Sequence, residues 1–483
     1  MDVSPRISRS RVPSYEQGAG LPWRVLATVT TLALTLPFAL DAQHALEQGA
    51  FDYGQHVEWQ SRLLIFVPLA ALALTAAAPT FRIAIAVYWA WSFVFLGLAP
   101  AIQLARQSFP WTGTFSVEVI EAAQSLVLLG HVSFAILVWF MSRRGSAVPP
   151  DPAEPYEPER TDDTTTKAYV RVLAGLGLTY LVVATLFVVL MGSALFNARA
   201  VFRIRVLEIA SLPLGGFLYF AVTAGAIVIP SALLICRRHG VQVPVWLVGA
   251  TWLAAALVTN PLVGSRFLSG SFIVATAVAL LQGRRLLRLV PVGSVVLLIV
   301  VFPSMDVLRG DATSSVSIQI LSLEDSMLDY DFDAFEMGAR EVSLTTEARA
   351  FLPSSSHMLL APLARWIPIL SRPYIGDSGG KVVAEATGME YTNVSMPLWA
   401  EGDLIAGAAG TIVVLGALGA WLGVTGRQLG PGSRVPQLAS VPGSTALLFI
   451  VLRGSIYEVL GYLALAMIVY YLLVRSRRVK DHA

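Results

Sequence analysis

Twelve apolar runs, most of them 17 to 25 residues long, constrain this chain more than any other feature: 22–40, 63–79, 82–104, 119–141, 169–191, 209–235, 243–259, 266–282, 286–303, 404–424, 437–452 and 455–474. A hydrocarbon layer roughly 30 Å thick takes about 20 residues of α-helix to cross. The runs show no period-2 alternation, which excludes a membrane β-barrel and leaves helices that satisfy their own backbone hydrogen bonds. Composition agrees: only 14% of the residues are charged and the mean hydropathy is +0.66, whereas soluble domains carry about 25% charged residues. A formal net charge of +2 leaves no basic surplus for a polyanion, so nucleic acid is not an expected partner. The single cysteine, Cys236, excludes a disulfide framework and a thiolate metal cage. It reads as a small apolar filler at a helix end. Arg6, Arg9 and Arg11 precede the first run in the manner of a signal peptide, but no small-residue cleavage site follows, and an anchored helix is expected.

Lysine and arginine set the orientation, because basic residues are retained on the cytoplasmic side. With a cytoplasmic N-terminus, the inside loops hold 21 of the 34 Lys and Arg, the short outside loops hold seven, and one long outside segment holds six. The expected fold class is all-α: a polytopic membrane helix bundle of about 12 transmembrane helices, with one large extracytoplasmic segment and both termini cytoplasmic. Residues 1–303 would form a membrane domain of nine helices, 304–403 the outside segment, and 404–483 a membrane domain of three helices with a basic cytoplasmic tail. Two inside stretches read as solvated linkers. A disordered one is expected at 143–168, where PPDPAEPYEPERTDDTTTK is too poor in apolar residues to offset its ordering entropy. GRQLGPGSRVPQLASVPGS at 426–444 reads the same way.

A hundred residues between two spans exceed any simple connection, so function is sought in 304–403. From Leu328 through Phe332, Phe335, Ala339 and Val342 the apolar spacing is helical, while Asp329, Asp333, Glu336 and Arg340 share the opposite face. The string DYDFDAFEMGAR (329–340) has the aspartate spacing of a calcium loop, but Ala334 and Arg340 stand where that loop needs glycine and glutamate. An EF-hand is excluded. The Asp-x-Asp pairs also fit a metal gripping a nucleotide sugar, although no such donor is supplied outside the membrane; the plain alternative is a solvated carboxylate face. Residues 350–370, apolar but broken by three prolines, read as a segment dipping into the interface. His357 is the only histidine of the long segment and a candidate proton acceptor near neutral pH.

Arginines outside resist the usual cytoplasmic retention. Arg199, Arg203 and Arg205 lie between the fifth and sixth runs, Arg266 opens the eighth, and Arg309 follows the ninth. A guanidinium offers paired donors to phosphate oxygens, so a lipid-linked phosphate or diphosphate is the expected anion. Interfacial snorkelling or contact with membrane lipid headgroups is the alternative. In the fourth run Glu121, Gln124 and His131 fall in one arc, either a functional polar stripe or an interhelical hydrogen-bond cluster. Glu458 follows Arg453 by five residues, and a pair between them is expected.

The stretch 362–410 carries Arg365 and Trp366, Arg372 before Pro373, then Thr392, Asn393 and Ser395, and an acidic residue, Glu401, entering the next span. Together with the DFDAFE run and the arginine heading the eighth span, this order resembles the bacterial Wzy-type oligosaccharide repeat-unit polymerases of O-antigen and exopolysaccharide. Arg372 stands where many members of that family carry lysine. The resemblance implies a GT-C-like glycosyltransferase of the bacterial plasma membrane, with no metal and no cofactor. It would move a growing glycan from its polyprenyl diphosphate to a sugar hydroxyl of an incoming polyprenyl-diphosphate-linked oligosaccharide, with a chain-length regulator and a flippase as partners. On this reading Arg266, Arg309, Arg365 and Arg372 bind diphosphate, and Arg199, Arg203 and Arg205 hold the second lipid diphosphate. Trp366, Lys381, Asn393 and Ser395 touch substrate, and His357, then Glu401 or Asp333, takes the proton. An O-antigen ligase and a polyprenyl-phosphate-sugar transferase share these features. A transporter or flippase is the alternative of another class, and would alternate access around a midplane site between repeated halves.

Overall fold

The computed structural model describes residues 20–49, 53–143, 163–197, 199–212, 214–307, 321–350, 352–364, 378–391, 394–427 and 435–478. Arg309, Arg365, Trp366, Arg372, Thr392 and Asn393 lie outside them, as does most of the expected linker at 143–168. Among the described residues the regular elements are all helical. In chain order they are α1 (Leu21–Gln48), α2 (Gly54–Ala77), α3 (Ile83–Ala105), α4 (Val117–Arg143), α5 (Tyr169–Phe196), α6 (Arg199–Ser211), α7 (Gly215–Arg238), α8 (Val245–Val258), α9 (Arg266–Leu281) and α10 (Arg285–Ser304). The long segment adds α11 (Leu323–Met327), α12 (Ala334–Val342), α13 (Thr346–Ala350), α14 (Ser355–Ala364) and α15 (Gly379–Ala386); α16 (Leu398–Arg427), α17 (Val435–Arg453) and α18 (Ile456–Arg478) follow.

Nine of these described helices, α1 to α5, α7, α10, α16 and α18, are long and apolar enough to cross a membrane. Three shorter apolar helices, α8, α9 and the Gln437–Arg453 part of α17, stand at the seventh, eighth and eleventh apolar runs. The packing explains the patterning. Helix α3 is apolar all round and 94% of its most apolar stretch is buried, as befits a helix at the centre of a bundle. Outer helices instead leave apolar side chains uncovered, among them Val25 and Val29 on α1 and Leu178, Val182, Leu186 and Val189 on α5. Contiguous exposed apolar bands of this kind are what a lipid phase covers. Around α3, helix α16 lies along α4, α17 along α7 and α9, and α1 along α2.

Helix α16 is broken near its start. Ala406 (φ −147°, ψ 25°) and Gly407 (φ 63°, ψ −160°) leave helical geometry, and the positive φ is one that glycine adopts without steric cost. In a straight helix residues eight apart are separated by about 12 Å, yet a Cβ on Gly410 would lie 1.9 Å from the Gly402 carbonyl oxygen. Residues 398–405 therefore fold back against the start of the longer arm. Thr411 Oγ1 donates to the Trp399 carbonyl at 2.7 Å, tying the longer arm to the folded-back turn. Glu401 and Asp403 ride on this folded-back turn.

The long segment closes one end of the bundle. Buried Gln103, at the end of α3, donates to the Met327 and Phe332 carbonyls at 2.9 and 3.0 Å. Phe332 stacks on Phe95 of α3 with 5.2 Å between ring centroids. Trp399 lies against Gly338, where a Cβ would fall 2.1 Å from the indole. Two expectations are corrected here, and one pair of alternatives is decided. Asp333, Glu336 and Glu341 are buried, so their face is no solvated surface: the loop between α3 and α4 and the folded-back turn of α16 cover it and supply donors. Of the stretch 426–444, residues 428–434 lie outside the described residues, and from Val435 on it is helix rather than linker, with Leu438, Ala439 and Val441 burying their side chains. The arc on α4 is an interhelical hydrogen-bond cluster, with Gln124 donating to Ser61 Oγ at 2.7 Å and His131 bonded to the Tyr88 hydroxyl at 2.9 Å.

Candidate functional site

Two arginines and three aspartates meet where the long segment joins the bundle. Arg266 is the first residue of α9 and only 5% exposed. Its Nη1 donates to the Phe302 carbonyl at 2.7 Å, while Nη2 lies 2.6 Å from Asp331 and 3.6 Å from Asp329. Arg453, the last residue of α17, reaches Asp331 from the other side and adds Asp333. Its Nη2 is 3.1 Å from Asp333 and donates to the Tyr330 carbonyl at 3.2 Å; Nη1 is 3.7 Å from Asp331. The guanidinium sits 4.1 Å from the Phe267 ring centroid, a cation–π contact that also fixes its plane. Two positive groups thus face three carboxylates in a mostly dry setting, where ionic hydrogen bonds are strongest.

Asp333 is the most enclosed of the three, 1% exposed. It accepts from Trp111 Nε1 at 3.0 Å, from the Ser395 hydroxyl and, at 3.5 Å, from the Ser395 amide. One turn on, Glu336 accepts from the Trp111 and Gly113 amides at 2.7 and 3.2 Å and from Arg340 at 2.8 Å. Burial pushes its carboxyl above the usual range, and the bonds from Trp111 and Arg340 oppose that rise. Two turns on, Glu341 accepts from Arg349 at 2.7 Å, and Arg349 lies 3.5 Å from Asp403. Burial, reinforced by the Asp403 carboxylate, pushes Glu341 up to about 9. Among the described residues no three His, Cys, Asp or Glu side chains converge as metal ligands; the aspartates splay onto arginines.

Arg266, Asp333 and Ser395 therefore come together. Glu401 stands next to them, buried, accepting from Ser455 Oγ at 2.6 Å and from the Ile456 amide at 2.5 Å, just beyond Arg453 in the chain. His357 lies half-buried on α14, which packs against α18 and α16. Lys381 is on α15, 3.6 Å from Glu385. Arg199, Arg203 and Arg205 do not join the cluster: they are exposed on α6, which packs on α5 and α7, and Arg205 is held by Glu208 at 2.6 Å and the Leu190 carbonyl at 2.8 Å. Arg453 was expected to pair with Glu458 and instead serves Asp331 and Asp333. Its signal was present in the sequence, as one of the few basic residues in the short loops expected outside, but not its partners. Trp111 carried no comparable signal. The chain matches no protein-family profile, no curated protein and no solved structure.

Proposed function

We propose that this protein is a GT-C-like glycan polymerase of the Wzy type, with twelve membrane spans and both termini in the cytoplasm of a bacterial cell. It transfers a growing glycan from polyprenyl diphosphate to a lipid-linked repeat unit on the outer face of the plasma membrane. The observation that carries the reading is the pair of guanidiniums, Arg266 and Arg453, converging from two helices on Asp331. A diphosphate bears the same charge type as Asp329 and Asp331 and more acceptor oxygens, so it would take their place on the arginines.

In the reaction a hydroxyl oxygen of the incoming unit bonds to the anomeric carbon of the growing chain, and the bond from that carbon to the diphosphate breaks. The electron pair leaves with the polyprenyl diphosphate, whose added charge Arg266 and Arg453 stabilise; preorganised donors of this kind are commonly worth about 3 kcal/mol each. The hydroxyl proton passes to a base. Asp333 and Glu401 already hold several donors in place, which suits them to orientation, and half-buried His357 is assigned the role of acceptor for its imidazole chemistry. Reconstitution tests this. Vesicles containing the protein, supplied with lipid-linked glycan extracted from cells that lack it, should yield a ladder of longer glycans. Lipid-linked glycan that crosses the bilayer with no new glycosidic bond would replace the polymerase with a flippase.

A further inference from the structure

Beside the arginine pair, three aromatic rings form a patch whose ring faces the charged groups do not use. Trp111 lies 4.4 Å from Tyr330 and 5.6 Å from Tyr391, centroid to centroid, with each tyrosine tilted 39° to the indole. Tyr330 is 59% exposed and Tyr391 62% exposed. Large rings left in water at this density are costly unless something covers them. The loop that presents Trp111 is locked with unusual investment. Buried Glu336 takes the Trp111 and Gly113 amides, Arg340 donates to the Trp111 carbonyl at 2.8 Å, and the indole N–H is held by Asp333. Between the two amides Thr112 has φ 56°, a left-handed conformation that a β-branched residue adopts only when its surroundings impose it. A chain that merely had to turn there could do so with glycine and without burying a carboxylate.

We infer that Trp111, Tyr330 and Tyr391 form a sugar-stacking subsite, a platform for a pyranose ring of the glycan next to the diphosphate. The negatively charged faces of aromatic rings attract the weakly positive C–H face of a sugar. Continuity selects this occupant. The Tyr330 carbonyl is bonded to Arg453 at 3.2 Å, so a glycan whose diphosphate rests on the arginines emerges against the Tyr330 ring. The inference rests on the polymerase reading for its ligand, and the test separates the two.

The probe is the oligosaccharide released by mild acid from the lipid carriers of cells lacking this protein, titrated calorimetrically into the full-length chain in lipid nanodiscs. Tyr391→Ala and Tyr330→Ala should each weaken binding about tenfold, the usual scale of one stacking contact, while Tyr391→Phe and Tyr330→Phe bind as the parent does. Trp111→Phe, which keeps a ring but gives up the bond to Asp333, should bind more weakly than the parent and more tightly than Trp111→Ala. Inorganic pyrophosphate should bind all the tyrosine variants equally. Wild-type affinity in both tyrosine-to-alanine variants overturns the subsite, as does displacement of the oligosaccharide by uridine or adenosine, which would make the patch a nucleobase site. If the oligosaccharide binds through the tyrosines but the vesicles build no polymer, the platform stands and the polymerase reading falls; elongation with an unchanged KM in both variants gives the reverse.

Discussion

At one end of α9 arginines meet carbonyl oxygens, and at the other they meet carboxylates. Arg238 donates to the carbonyls of Ala279, Leu280 and Gln282 at 2.5 to 3.1 Å where α9 ends, and nearby Arg288 donates to those of Ala76, Ala78 and Pro79 at 2.5 to 3.4 Å. These guanidiniums close helix ends that no backbone donor can reach, a use that is complete within the protein. Arg266, at the start of the same helix, gives one nitrogen to a carbonyl in the same way and the other to Asp331. Arg453 beside it gives its charge to Asp331 and Asp333. A carbonyl cap cannot be exchanged without unravelling a helix, whereas a carboxylate partner can be exchanged for another anion. The same side chain is thus structural at one end and available for chemistry at the other.

The strongest way to break that contrast is to substitute one arginine at each end. Arg266→Lys should cost about 10³-fold in turnover, the upper range for loss of a preorganised donor, with the protein still folded. Arg288→Ala, which leaves buried carbonyls unpaired at about 1–3 kcal/mol each, should lower the melting temperature and leave turnover per folded molecule unchanged. A melting defect in the first and a turnover defect in the second would erase the distinction. Next in size, His357→Ala should reduce turnover about 10²-fold with little change in KM; wild-type turnover would pass the proton to Asp333 or Glu401. Asp331→Asn sharpens the idea of exchange, because it removes the competing charge. Pyrophosphate affinity, measured by calorimetry, should rise about tenfold, and an unchanged or weaker affinity would mean that Asp331 is no placeholder.

The smallest effect concerns pH, and it too should be confined to the carboxylate-bearing end. Glu341 ordinarily titrates at 4.5 and is pushed up to about 9 in the fold, chiefly by burial. The folded state therefore holds its proton more tightly than the unfolded chain does. Its contribution to stability is complete below 4.5 and is lost as pH rises through about 9. Hydrogen exchange across 334–350 should accelerate between pH 6 and 9 by more than the intrinsic rate, with 279–290 unaffected, and Glu341→Gln should flatten the difference. Equal acceleration at both ends would locate the titrating group elsewhere.

Much of the helix map was legible in sequence. Each apolar run corresponds to a helix or to most of one, because a segment that must satisfy its own backbone declares itself by length and composition alone. The helix of the DFDAFE run was legible as well, from its spacing. What its carboxylates face was not. The pattern around Asp333 and Glu336 is that of any amphipathic helix, and only the arrival of Trp111 from a loop more than two hundred residues earlier turns a polar face into a buried one. Arg266 stood out because an arginine at the head of an outer helix is unusual, whereas Arg453 was read against its nearest acid along the chain. Chain proximity favours such a pair; here tertiary contact with Asp331 and Asp333 took the guanidinium instead.

By itself the sequence determined that this chain is a helical bundle with exposed apolar bands, that its long polar-rich insertion falls between the ninth and tenth apolar runs, and which arginines border the apolar runs. These follow from local free energies, the transfer of apolar side chains and the cost of unpaired backbone, which add up residue by residue. Tertiary structure alone decided that α16 breaks at Ala406 and Gly407, that Arg266 and Arg453 meet at Asp331, and that Trp111, Tyr330 and Tyr391 lie together. Each of those depends on groups distant in the chain arriving within a few ångströms of one another, and electrostatic and stacking energies at that range vary too steeply with position for any local pattern to encode them.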